Sequence, residues 1–86
     1  MSQSYTQIIL SIKPDTGLFD ERVTELLTRV GFHYDYPPTM DYMADFAKSM
    51  HEVSSAHAEL AGYGVDSQAL VTKMISLHRE QYEVAA

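Results

Sequence analysis

Two periodicities divide this chain. In "SYTQIILSI", Ile8, Leu10 and Ile12 alternate with Gln7, Ile9 and Ser11, and the stretch is rich in β-branched and aromatic residues. A period of two with that composition predicts an extended arm or strand over residues 1–14, closed by Pro14. The pattern offers no second strand, and one strand makes no sheet. The segment must pair with another chain, pack as a lone arm, or be a short helix. On the first reading Ile8, Leu10 and Ile12 form a dimerisation edge.

The rest of the chain follows helical spacing. Phe19, Val23, Leu26, Leu27 and Val30 fall at i, i+4, i+7, i+8 and i+11, the single apolar face of a helix over 16–31. Asp15 or Thr16 can cap it, Asp20 and Glu21 suit its positive end, and Gly31 can supply a left-handed stop. Residues 32–39, "FHYDYPPT", read as an extended connector, because Pro37 and Pro38 restrict the residues before them. A second helix follows over 40–61. Met43, Phe46, Met50, Val53, His57 and Leu60 are spaced 3, 4, 3, 4, 3 along it, which is a heptad seam. The glycines of "AGYGV" end it. Asp66 or Ser67 caps a third helix over 66–85, whose inner face is Leu70, Val71, Met74, Leu77, His78 and Tyr82. The short connector predicts an antiparallel hairpin, with Val53 near Met74, Met50 near Leu77, and Phe46 near Gln81 and Tyr82. The expected fold class is mainly α: an N-terminal arm, one short helix and a long helical hairpin, in one domain of 86 residues.

Composition narrows the function classes. There is no cysteine, so disulfides, thiolate metal sites and a cysteine nucleophile are excluded. Six Lys and Arg against twelve Asp and Glu give a net charge of −6. The cations form no stripe, so nucleic acid is not an expected partner; an acidic nucleic-acid mimic is a remote alternative. The N-terminal residues lack the cationic start and apolar run of a signal peptide, and no segment approaches the roughly 20 apolar residues of a membrane span. The expectation is a cytoplasmic protein without membrane contact.

Candidate chemistry is sparse. His51 and His57 lie six residues apart and point to different helix faces. In the expected hairpin His51 approaches His78, with Glu52 or Asp45 near, a weak shared site at most. No metal or other cofactor is expected. His57 occupies a seam position, where a polar residue fixes register or responds to pH. No phosphate loop, nucleophile elbow or ordered triad is present.

"YGVDSQAL" resembles the acyl-carrier-protein motif at Gly64, Asp66 and Ser67. That resemblance implies a serine, Ser67, carrying phosphopantetheine at a helix start. The chain departs from the motif at Gln68, where the family has leucine, and only nineteen residues follow Ser67. An Asp-Ser pair at a helix start also answers the need for an N-cap.

The aromatic run "FHYDYPPTMDYM" points elsewhere. Tyrosine gives large contact area with a polar tip, and methionine adapts to irregular partners. Tyr34, Tyr36, Met40 and Tyr42 are the expected partner-binding residues, with Phe32 and one tyrosine turned inward. The leading expectation is a non-catalytic protein–protein interaction module (a small regulator, inhibitor or accessory subunit) that self-associates as a homodimer.

Overall fold

The N-terminal segment is a helix. The computed structural model describes residues 2–37 and 43–83, apart from the side chains of 43–45 and 83. Its first element, α1, spans Tyr5–Ser11. Ser4 caps it: the Ser4 hydroxyl accepts the Gln7 N–H at 3.1 Å, and the Gln7 side chain accepts the Ser4 N–H at 2.8 Å. This reciprocal capping box satisfies two donors that a helix start otherwise leaves bare. Tyr5, Ile8, Ile9 and Ile12 stand at i, i+3, i+4 and i+7. Packing on that helical face overrides the β preference of the isoleucines. The expected strand is therefore corrected to a helix. Ile8 is buried in the chain's own core, and Leu10 and Ile12 pack at its border. The edge that Ile8, Leu10 and Ile12 were expected to offer a second chain is turned inward.

The chain then turns at Gly17, whose φ of +63° favours glycine. The Asp15 carboxylate accepts the Gly17 N–H at 3.0 Å. A 3-10 turn, Gly17–Phe19, leads into α2, Asp20–Asp35. Val23, Leu26, Leu27 and Val30 are buried as their spacing predicts, whereas Phe19 is half exposed and stacks on Tyr63 with centroids 4.8 Å apart. Lys13 pairs with Asp20 and holds its carboxyl below the usual carboxylate range.

Gly31 does not stop α2. The helix runs one turn further, and Gly31 serves a different need. A Cβ there would stand 2.6 Å from the Cα of Thr6. Glycine lets the backbones of α1 and α2 touch. The extra turn also delivers Asp35 to the start of α1. Its carboxylate accepts the Tyr5 N–H at 2.8 Å, the Thr6 N–H at 3.0 Å and the Thr6 hydroxyl at 2.7 Å. Burial pushes the Asp35 carboxyl upward, but the bonds from Thr6 and Tyr5 and the field of His78 outweigh it, and its pKa is lowered.

Helices α3, Met43–Gly62, and α4, Ser67–Glu83, complete the fold. α3 runs antiparallel to α2. Arg22 near the start of α2 forks onto Glu59 near the end of α3, at 2.5 and 2.8 Å, while His33 reaches Ser49 at the other end. The Arg22 guanidinium holds the Glu59 carboxyl down at about 2. α4 runs beside α1. Gln81 and Gln3 exchange side-chain and backbone hydrogen bonds, and His78 stacks on Tyr5 at 3.9 Å.

α3 and α4 touch each other far less than α2 touches either α1 or α3. The close-packed hairpin expected from the short connector is opened. Val53 faces the α2 side, while Met50 and Tyr82 are exposed. Of the heptad seam Leu60 is fully buried, and with Ala56, which lies outside the seam, it joins Val71 and Met74 of α4 in one core with α1 and α2. α2 is the amphipathic strip with most to bury, and it draws α3 onto itself. The helices lie in the spatial order α3, α2, α1, α4. The molecule measures 40 × 39 × 18 Å, a slab thinner than two helix diameters.

Candidate functional site

The extra turn of α2 reorganises the aromatic run. In an extended connector Phe32, Tyr34 and Tyr36 would share one side. In a helix, residues four apart share a face, and residues two apart diverge by about 200°. Phe32 and Tyr36 therefore stand together, with rings edge to face at 5.9 Å. Tyr34 points away and meets Tyr5 at 5.7 Å. It packs against the core at the α1 side. The expectation that Phe32 turns inward is corrected: its exposure is 53%, and that of Tyr36 is 76%. Of the four expected partner-binding residues, Tyr36 is open to solvent and Tyr34 is half-buried, while Met40 and Tyr42 lie outside the described residues.

Phe32 and Tyr36 border a cleft of about 260 Å³ between α2 and α3. α2 contributes Arg29, Phe32, His33 and Tyr36, which are spaced i, i+3, i+4 and i+7. α3 contributes Ser49, Glu52 and Val53. The contact of His33 Nδ1 with Ser49 Oγ at 3.2 Å ties the two walls. Arg29 is held by Glu25 at 3.0 Å, one turn earlier on α2. Glu52 has no ion-pair partner among the described residues. The cleft thus combines the apolar Phe32 and Val53 and the Tyr36 ring with a cation on one wall and, on the other, a carboxylate without an ion-pair partner among the described residues. From the sequence, Glu52 enters only beside the weak His51–His78 site, Phe32 only as an inward ring, and Arg29 not at all for binding. Carrying the 3.6-residue period of α2 four residues past Gly31 places Arg29, Phe32 and Tyr36 on one face.

A second cleft, of about 410 Å³, lies at the α3–α4 joint. His57, Ala61, Gly64, Asp66 and Gln68 border it. Asp66 caps α4, its carboxylate accepting the Ala69 N–H at 3.1 Å. The Ser67 hydroxyl turns inward and meets His57 Nδ1 at 2.5 Å; Ser67 is 4% exposed. Burial lowers the pKa of His57, and the neighbouring charge of His33 acts in the same direction. A neutral imidazole is the form that can accept the Ser67 hydroxyl. The pair latches the end of α3 to the start of α4. A serine serving as an attachment point must stand outward, and this one does not.

The remaining histidines are dispersed. His78 lies against Tyr5, and His51 is exposed on α3. Among the described residues no three His, Asp or Glu side chains gather at metal-binding distance, and no described helix is long and apolar enough to cross a membrane. Searches against family models, curated proteins and solved structures return no match to this chain.

Proposed function

We propose that this chain is a protein–protein interaction module that receives a partner in the α2–α3 cleft. The observation that carries the reading is the exposed Phe32–Tyr36 pair beside that cleft. Two large rings in mutual contact give up little side-chain freedom when covered, so they favour association. The cleft volume suits one or two inserted side chains rather than a substrate enclosed on all sides. The reading is non-catalytic. Among the described residues the serine–imidazole pairs are His33–Ser49 and His57–Ser67, and no carboxylate is hydrogen-bonded to either imidazole.

Site-specific photocross-linking tests the reading. A benzophenone amino acid replaces Tyr36 in one variant and Lys73, exposed on α4, in another. Irradiation in the native host is expected to give a discrete protein adduct from position 36 and none from position 73. No adduct, or the same adducts from both positions, overturns the reading.

A further inference from the structure

Resting on the interaction reading, we infer that the occupant of the α2–α3 cleft is a second copy of this chain, related by a two-fold axis that passes over the cleft.

Shape leaves room for a second layer. The radius of gyration is 13.7 Å, against about 12 Å for a compact domain of this length. An 18 Å slab laid on a second slab makes a body of ordinary proportions.

Charge selects the kind of partner. A two-fold interface is self-complementary: if residue i meets residue j, then j meets i. The cleft carries Arg29 on the α2 wall and Glu52 on the α3 wall. Two-fold docking sets each Arg29 against Glu52 of the second copy, giving two identical ion pairs that flank the apposed Phe32 and Tyr36 rings. Glu52, which has no ion-pair partner among the described residues, gains one. Arg29 has a competing partner in Glu25, but exposed pairs one helical turn apart are worth little. The overall charge of −6 would by itself favour a basic partner, yet such a partner meets Arg29 at the cleft. Repulsion between acidic surfaces outside the patch is screened within about 8 Å at physiological salt.

Charge exchange tests the proposal on the full chain. Light scattering of the native protein at tens of micromolar is expected to give about twice 9.7 kDa. Arg29→Glu and Glu52→Arg each place like charges at both pair positions, and each is expected to weaken dimerisation at least about tenfold. An equimolar mixture of the two variants restores both attractive pairs and is expected to dimerise again, which two folding defects could not do. A native monomer at about 100 µM overturns the proposal, while position-36 adducts to another protein would leave the interaction reading standing. A dimer indifferent to both changes, or a mixture that stays monomeric, overturns this face.

Discussion

α2 has a neighbour on each side, and the two seams differ. Toward α1 the backbones touch at Gly31 and Thr6, and the Asp35 carboxylate takes three donors at the start of α1. Toward α3 the core closes around Ala56 and Leu60, but the seam opens where Phe32 and Tyr36 stand. Side-chain size sets the difference. Without a Cβ at Gly31 the α1 seam admits no gap. On the other face two large rings stand largely in solvent at the border of the cleft and leave apolar surface uncovered. Closure on one side stabilises the chain; openness on the other leaves the surface on which the proposed partner would dock.

The contrast can be broken from the closed side first. Gly31→Leu inserts a side chain where the Thr6 backbone lies and is expected to cost about 3 kcal/mol, a large share of a small domain's stability, measured by urea denaturation. Asp35→Ala leaves the Ser4 cap of α1 but removes the acceptor of the Tyr5 and Thr6 donors, and is expected to cost about 1 kcal/mol. Its effect carries a pH signature. The folded pKa lies below the unfolded value near 3.9, so the stabilisation is complete above that value and fades as pH falls through the folded one. The gap in stability between native and Asp35→Ala proteins should therefore narrow as the pH falls below about 5; a constant gap would show that the Asp35 carboxylate is not what holds α1. The smallest effect belongs to the open side. Phe32→Ala and Tyr36→Ala are each expected to shift folding stability by about 0.5 kcal/mol or less while reducing association. A loss near that of Gly31→Leu would mean that the open seam is core.

Much of this contrast was legible in the sequence. The buried face of α2 follows from spacing alone, and the glycines around Tyr63 mark the α3–α4 joint. Asp66 caps α4 as its position suggests. The α1 helix was legible too, through the Ser4–Gln7 box and the spacing of Tyr5, Ile8, Ile9 and Ile12, but the alternation of Ile8, Leu10 and Ile12 fits a strand equally well. Local composition cannot decide between two such periods; burial against α2 decides. Gly31 misleads for a related reason. Glycine near a helix end usually stops it, whereas here the α1 backbone occupies the space, and that neighbour is 25 residues away in sequence. The site was half legible. Aromatic content marked the region, but the extra turn of α2 determined which rings face out. The α3–α4 hairpin packs less closely than its heptad pattern suggests, because such a pattern states which residues seek cover and not which helix supplies it.

The pairing of Gln3 with Gln81 orders events in time. The Thr6–Asp35 bonds close a loop of 29 residues, and the glutamine pair closes one of 78. The longer closure costs about 0.9 kcal/mol more in chain entropy. The α1–α2 seam is therefore suited to form early, with α4 swinging onto α1 last. Run backward, the same sequence makes α4 the first helix to detach, once Val71 and Met74 leave the core, the His57–Ser67 latch opens at one end and the glutamines part at the other. Native-state hydrogen exchange would then release α4 amides through an opening cheaper than global unfolding, while α2 amides near Leu27 exchange only when the whole chain unfolds.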